Sequence, residues 1–194
     1  MTLINRKSIN VITYSFYIVL LDQVSKFLIL NTLGFERSQN IIPNLLNFTL
    51  VKNRGAAFSL LSNSTSLLTI ISILASLLLI TIIIRFPPRS YWNLNGLAYL
   101  LGGTLGNGID RLFKGYVLDF LDLVPINFPI FNVADVSINI AIICFIIDIV
   151  KNSGGNAIKT SSDQETGTDR IFEVFKKTLK DEPKIIINLQ GDMP

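Results

Sequence analysis

The sequence predicts a mainly α-helical membrane protein: four transmembrane helices with a small extracytoplasmic β-strand or hairpin element. Two observations carry that prediction. Charged residues make up only 16% of the 194-residue chain and hydrophobic residues 49%, whereas an ordinary soluble domain is ~25% charged; the mean hydropathy is +0.50. Four separate stretches also stay apolar over about the 20 residues that a helix needs to cross hydrocarbon. The length fits one compact unit, read as a membrane domain over residues 1–151 followed by a polar tail over 152–194.

The first span is expected at residues 8–30. Arg6 and Lys7 precede it, as in a secretory leader, but no small-residue cleavage site follows and the apolar pattern resumes beyond Asp22 and Lys26, so an uncleaved helix is expected. Residues 31–65 form a long outer connection. Within it, residues 43–60 alternate in polarity and carry Phe48, Thr49 and Val51, which predicts a short strand or hairpin on the membrane surface. The second span is expected at 66–86, ending before Pro87-Pro88. The third is expected at about 94–113 and the fourth at 133–150. Residues 152–194 turn rich in Gly, Ser, Thr, Asp and Lys and predict a flexible tail with one amphipathic stretch at 171–179.

Four spans put both termini on one side. Arg6, Lys7, Arg85, Arg89, Lys151 and Lys159 then share that side, against Arg37, Lys52, Arg54 and Lys114 on the other. The positive-inside rule places both termini in the cytoplasm by a small margin. A net charge of +3 suits anionic lipid headgroups better than nucleic acid.

Composition also excludes chemistry. The chain has no histidine, which removes Ser-His-Asp and Cys-His catalysis and the commonest zinc and iron ligand sets. Its one cysteine, Cys144, cannot form an internal disulfide and sits in an apolar run as a small hydrophobe. Catalysis, if any, falls to carboxylates, Lys, Ser, Thr or Tyr.

Polar residues inside the apolar runs are therefore the candidates, because a charge in hydrocarbon costs about 2.5–3.5 kcal/mol even on a lenient scale. Asp22 and Lys26 stand at i, i+4, acid first, so they form either a self-neutralising pair or a substrate-orienting one. Asn53-Arg-Gly55-Ala-Ala-Phe-Ser59 offers an amide beside small residues, either a tight turn or a binding element. In the third span, Gly102, Gly103 and Gly106 permit close helix packing. Asn107 and Asp110 follow them, and Arg111 beside Asp110 favours the ionised carboxylate, which suits a structural or orienting group better than a proton carrier.

Asp119 lies among Val117, Leu118, Phe120 and Leu121, and Asp135 opens the fourth span after Asn132. Both are placed at one membrane face, Asp119 at the end of one helix and Asp135 at the start of the next. Two carboxylates in one partly dry site cannot both ionise cheaply, so one keeps its proton. That supplies a base to activate water and an acid to protonate an amide. The plainer alternative is two interfacial residues, with Asp135 favouring a helix N-terminus electrostatically.

Five boxes in order, Asp22-Gln-x-Ser-Lys26, Asn53-x-Gly55-x-Ala57-Phe58-Ser59, Gly102-Gly103-x-x-Gly106-Asn107-x-x-Asp110-Arg111, Val117-x-Asp119-Phe120 and Phe131-Asn132-x-Ala134-Asp135, resemble the lipoprotein signal peptidase family, signal peptidase II. The resemblance covers about residues 8–150 and leaves the tail outside. It implies an aspartic endopeptidase with Asp119 and Asp135 as the catalytic pair. Asn53, Asn107, Arg111 and Asn132 would hold substrate backbone or the pair, with Asp22, Lys26, Gly55 and Asp110 in support. The implied substrate is a diacylglyceryl-modified bacterial prolipoprotein, cut before its lipidated cysteine, and the implied inhibitor is globomycin. No metal or cofactor is implied. The implied setting is the bacterial cytoplasmic membrane. A membrane-borne substrate then puts the expected site near the outer face, where acyl chains stay in lipid and water still arrives, with the segment 31–62 as a lid or platform over it; a four-helix unit this small is expected to work alone, as a monomer among membrane lipids. Other classes remain to be weighed: a small transporter or channel subunit built on the carboxylates, a serine–lysine peptidase using Ser25 or Ser59, and a bare membrane scaffold.

Overall fold

A computed structural model describes residues 5–55, 64–126, 128–153 and 167–178. The chain divides into two compact units, Met1–Ile149 and Val150–Pro194. In order, the elements are α1 (Arg6–Thr32), β1 (Ser38–Ile42), β2 (Leu46–Asn53), α2 (Thr65–Arg85), α3 (Tyr91–Lys114), β3 (Val117–Leu123), α4 (Val133–Asn152) and α5 (Gly167–Thr178).

The helix ends follow local chemistry. Asn5 caps α1 by accepting from the Lys7 N–H at 2.8 Å. Helix α2 stops at Arg85, before the proline pair. Ser90 caps α3 by accepting from the Asn93 N–H at 2.9 Å. The same hydroxyl donates to Asp148 on α4. Gly115, at φ +73°, ends α3 in the left-handed region that a side chain would disfavour.

Among the described residues, three helices, α1, α2 and α4, are long and apolar enough to cross a membrane. Helix α3 is long but not apolar enough, because Asn93, Asn95, Asn107 and five glycines interrupt its leucines. Most of the glycines and Asn107 face protein: α3 packs against α1 and α2, and Gly96, Gly102, Gly103, Gly106 and Asn107 are buried along with Leu97, Ala98 and Leu101. A core of Val11, Ile83, Leu97, Ala98 and Leu101 joins the three helices. Side chains could not be added at the glycine seam. A Cβ on Gly102 would lie 2.7 Å from the Ile18 side chain, and one on Gly103 would lie 2.5 Å from the Ala134 carbonyl oxygen on α4.

The β element is larger than the sequence suggests. A three-stranded antiparallel sheet has the order β1-β2-β3. The hairpin begins at Ser38, earlier than the expected 43–60. Asn44 takes φ 60° in its turn, a conformation that asparagine tolerates. Strand β3 was not expected, and it moves Asp119 from a helix end onto a strand paired opposite Val51. The sheet seats on the last turn of α1 through Ile29, Leu33, Leu50, Leu118 and Phe120. In the second unit, α5 covers most of the expected amphipathic stretch, with the Lys176 ammonium 4.7 Å from the Phe172 ring centre; Leu179 lies outside the described residues.

Candidate active site

The start of α4 is fixed by a reciprocal cap. Asn132 is its N-cap: its side-chain oxygen accepts the Asp135 N–H at 3.0 Å, while Asp135 Oδ2 accepts the Asn132 N–H at 3.1 Å. The cap leaves Asn132 Nδ2 free to reach across. It donates to Asp119 Oδ1 at 2.6 Å and to Asn107 Oδ1 at 3.0 Å. Asn107 Nδ2 donates to Asp135 Oδ1 at 2.8 Å. On the sheet, Asn53 Nδ2 donates to Asp119 Oδ2 at 2.9 Å. The two carboxylates, from β3 and α4, are thus linked through asparagine amides, and each carboxylate oxygen has a donor.

Beneath them lies a buried ionic cluster. Lys26, wholly buried, reaches Asp22 Oδ2 at 2.8 Å, Asp110 Oδ2 at 2.9 Å and Asn107 Oδ1 at 3.1 Å. Asp110 also accepts from Lys114 at 2.7 Å and from the Leu118 N–H at 3.2 Å, which fixes the residue before Asp119. Asp22 Oδ1 accepts the Ala134 N–H at 2.9 Å, which fixes the first turn of α4. Asp22 and Asp110 therefore hold the strand and the helix that carry the pair. Arg111 Nη2 donates to the Gly55 carbonyl at 3.3 Å, and the Gly55 N–H donates to Asn53 Oδ1 at 2.9 Å. These bonds tie down the turn that presents Asn53. All ten residues singled out from the sequence thus fall into one connected region. Gln23 was missed: its amide donates to Asp22 Oδ2 and to the Gly106 carbonyl, each at 3.1 Å. A polar residue within an apolar span was the available signal.

A cavity of about 510 Å³ opens on the pair, lined by Asn53, Asn107, Arg111, Asp119 and Asp135 and walled by Phe128, Pro129, Ile130 and Phe131. That size is ordinary for a binding cleft. Asp119 is 2% exposed. Burial first, and then the neighbouring charge of Asp135, pushes its carboxyl up to about 7, against the donors Asn53 and Asn132 and the Lys26 charge. Four carboxylates (Asp22, Asp110, Asp119, Asp135) face three cations (Lys26, Lys114, Arg111) in this region. One proton held by the pair would make the whole site neutral, the arrangement that a low-dielectric setting favours.

The serine–lysine alternative finds no support in this geometry. Ser25 Oγ donates to the Asp22 carbonyl at 2.7 Å, while the Lys26 ammonium is held by two carboxylates and an amide oxygen. Ser59, with Ala57 and Phe58, lies outside the described residues.

Comparison with known proteins identifies the family. A family model described as signal peptidase (SPase) II matches residues 14–151. A cytidylyltransferase model matches a shorter stretch, 143–194, which overlaps α4 and runs into the tail. The lipoprotein signal peptidase of Parasynechococcus marenigrum is 47% identical over 132 residues, 68% of this chain and 83% of that protein. That of Streptococcus agalactiae serotype III is 42% identical over 140 residues, 72% of this chain and 91% of that protein. A solved bacterial membrane enzyme superposes with a TM-score of 0.69 at 34% identity, covering 78% of this chain and 94% of its own. The family match runs through every residue of the linked carboxylate site, from Asp22 to Asp135, and the chain belongs to the signal peptidase II family of membrane peptidases.

Proposed function

We propose that this chain is an aspartic endopeptidase that removes the signal peptide from diacylglyceryl-modified bacterial prolipoproteins, cutting before the lipidated cysteine. One observation carries the reading: two carboxylates from different elements are joined through Asn132, whose Nδ2 donates to Asp119 and whose main-chain N–H donates to Asp135, at the wall of a cleft. The pair holds one proton. The ionised carboxylate takes a proton from a water whose oxygen attacks the scissile carbonyl carbon, and the protonated one donates to the carbonyl oxygen. The tetrahedral intermediate then collapses, the C–N bond breaks, and a carboxyl proton passes to the departing amine. No metal or cofactor takes part. Asn53, Asn107 and Asn132 fix the two carboxylates, so little reorganisation accompanies charge movement.

The substrate arrives within the membrane, so in this reading α3 is the fourth span. At 24 residues it is about 36 Å long, enough to cross hydrocarbon. Lys7 Nζ donates to the Arg89 carbonyl at 3.4 Å, so the start of α1 and the α2–α3 connection share one end of the bundle, opposite the sheet. With the positive-inside count, that end faces the cytoplasm of a bacterial cell, and both the sheet and the carboxylate pair lie at the outer face of the cytoplasmic membrane. The sheet serves as the platform that carries Asp119 and Asn53. The chain works as a monomer among membrane lipids and is inhibited by globomycin.

The test is cleavage of a diacylglyceryl-modified prolipoprotein in detergent by Asp119→Asn, Asp135→Asn and the control Asp122→Asn. Asp122 accepts from Thr49 on the sheet and takes no part in the linked pair. Each change in the pair should abolish turnover while the control cuts normally. Normal turnover by either pair variant sinks the assignment.

A further inference from the structure

Beyond the carboxylate pair, the cavity wall carries polar side chains that the chemistry above does not use. Ser72 on α2, Thr104 on α3 and Asn139 on α4 all line it. Thr104 stands three residues before Asn107, and Asn139 four residues after Asp135. Each is about one turn, roughly 4.5–6 Å along its helix, on the side of the pair away from the sheet.

Hydroxyls in these helices ordinarily fold back onto their own backbone. Thr69 donates to the Thr65 carbonyl, Ser72 to Leu68 and Thr81 to Leu77, at 2.8, 2.9 and 2.8 Å. Thr104 does not: among the described residues its hydroxyl has no hydrogen-bond partner, although it faces the cleft. Asn139 spends one N–H on the Asp135 main-chain carbonyl at 3.0 Å. Its amide oxygen and second N–H remain. The neighbouring lining is apolar, with Val117, Phe128, Ile130 and Ile138.

That pattern meets a physical requirement. A peptide bond inside a helix is shielded, so a membrane-borne segment must unwind before its carbonyl can be attacked. Unwinding frees N–H and C=O groups where no water reaches them, and each orphaned group costs several kcal/mol in hydrocarbon. An apolar cleft alone would resist that unwinding.

We propose that Thr104 and Asn139 form a backbone-holding subsite for the unwound segment of the signal peptide on the sheet-distal side of the scissile bond. The Thr104 hydroxyl donates to a freed peptide carbonyl, and the Asn139 amide pairs with a freed N–H and C=O. The subsite rests on reading the cleft as a peptide site and adds two positioning residues to it.

Binding tests the subsite apart from the chemistry. The probe is a fluorescent synthetic peptide bearing an S-diacylglyceryl cysteine preceded by its apolar signal segment. It is titrated into the full chain in detergent, as wild type, Thr104→Val, Asn139→Leu, Thr104→Ser and Asp119→Asn. Thr104→Val and Asn139→Leu should each weaken binding about five-fold, the worth of one hydrogen bond, and Thr104→Ser should bind like wild type. In turnover, the loss should fall on KM, with the pH profile unmoved. Wild-type affinity in both apolar variants overturns the subsite, as does a loss in Thr104→Val that Thr104→Ser shares. If Asp119→Asn still cuts, the aspartic mechanism fails while the binding comparison still decides the subsite. No binding by the wild-type chain overturns both.

Discussion

Asp119→Asn should silence the enzyme and, above neutral pH, make the protein more stable. The carboxyl titrates at about 7 in the folded chain against 3.8 for an unperturbed group. Below pH 3.8 both folded and unfolded chains carry the proton, and this group adds no pH dependence. Between about 4 and 7 the unfolded chain loses the proton while the folded chain keeps it, so folding stability falls as pH rises. The gap of about 3 units corresponds to about 4 kcal/mol at 1.36 kcal/mol per unit, and the 2% exposure of the side chain leaves little solvent to screen it. Asparagine removes that titration. It also turns an acceptor into a donor facing Asn53 or Asn132, a loss of about 1–3 kcal/mol that does not change with pH. The variant should therefore be the less stable protein near pH 4 and the more stable one near pH 8.5. Thermal unfolding of the detergent-solubilised proteins reads the difference. At roughly 2–4 °C per kcal/mol, the Tm gap between variant and wild type should move by roughly 8–16 °C across that range. A gap that stays constant with pH, or moves the other way, refutes the claim that burial and the neighbouring carboxylate hold a proton on Asp119.

Two further changes probe the support beneath the pair. Gly106→Ala would place a Cβ 2.7 Å from Asp22 Oδ2 and 3.2 Å from the Ala134 Cβ. Because Asp22 is held by both Lys26 and the Ala134 N–H, it cannot swing aside. The expected cost is about 1–3 kcal/mol, seen as a lower Tm together with reduced turnover; a variant that melts and cuts like wild type contradicts the packing. Lys26→Met strands the buried carboxylates Asp22 and Asp110 without their shared cation. That should cost about 3–5 kcal/mol, and adding Asp110→Asn should recover part of it in the same unfolding assay. Equal Tm values for the single and double variants would show that the two charges are not coupled.

The helices were legible because hydrocarbon is an unforgiving solvent: residues 66–86 and 133–150 differ by only a residue or two at each end from α2 and α4. The same severity exposed Asp22, Lys26, Asp110 and Asp135 as residues that needed a reason to be there. Strand β3 was hidden because Val117, Leu118, Asp119 and Phe120 are all buried, so the run shows no alternation between faces. A short apolar run of that kind reads equally well as the end of a helix. Asn132 was partly legible. An asparagine three residues before an aspartate at the start of an apolar run is a capping signature. Nothing in the spacing could show that the unused side of its amide spans to a strand. Thr104 and Asn139 passed unnoticed because one polar residue in a helix carries no signal until the cavity it faces is known.

In the proposed mechanism, the double duty of Asn132 ties catalysis to local stability. Its oxygen and main-chain N–H close the first turn of α4, and its Nδ2 holds Asp119. If that turn frays, Asp135 loses the Asn132 N–H from its Oδ2, and Asp119 loses the 2.6 Å donor on its Oδ1, in the same event. Asp22 opposes fraying from the other side by accepting the Ala134 N–H, and Lys26 holds Asp22 in place. The buried ion cluster is therefore needed for geometry more than for net stability, since a buried pair gains little over well-packed apolar side chains. What it provides is a fixed acceptor under the first turn of α4, at the depth where the two carboxylates must meet. An asparagine alone could cap the helix. Cap, cluster and strand together keep the two carboxylates in register while the cleft stays open to a peptide.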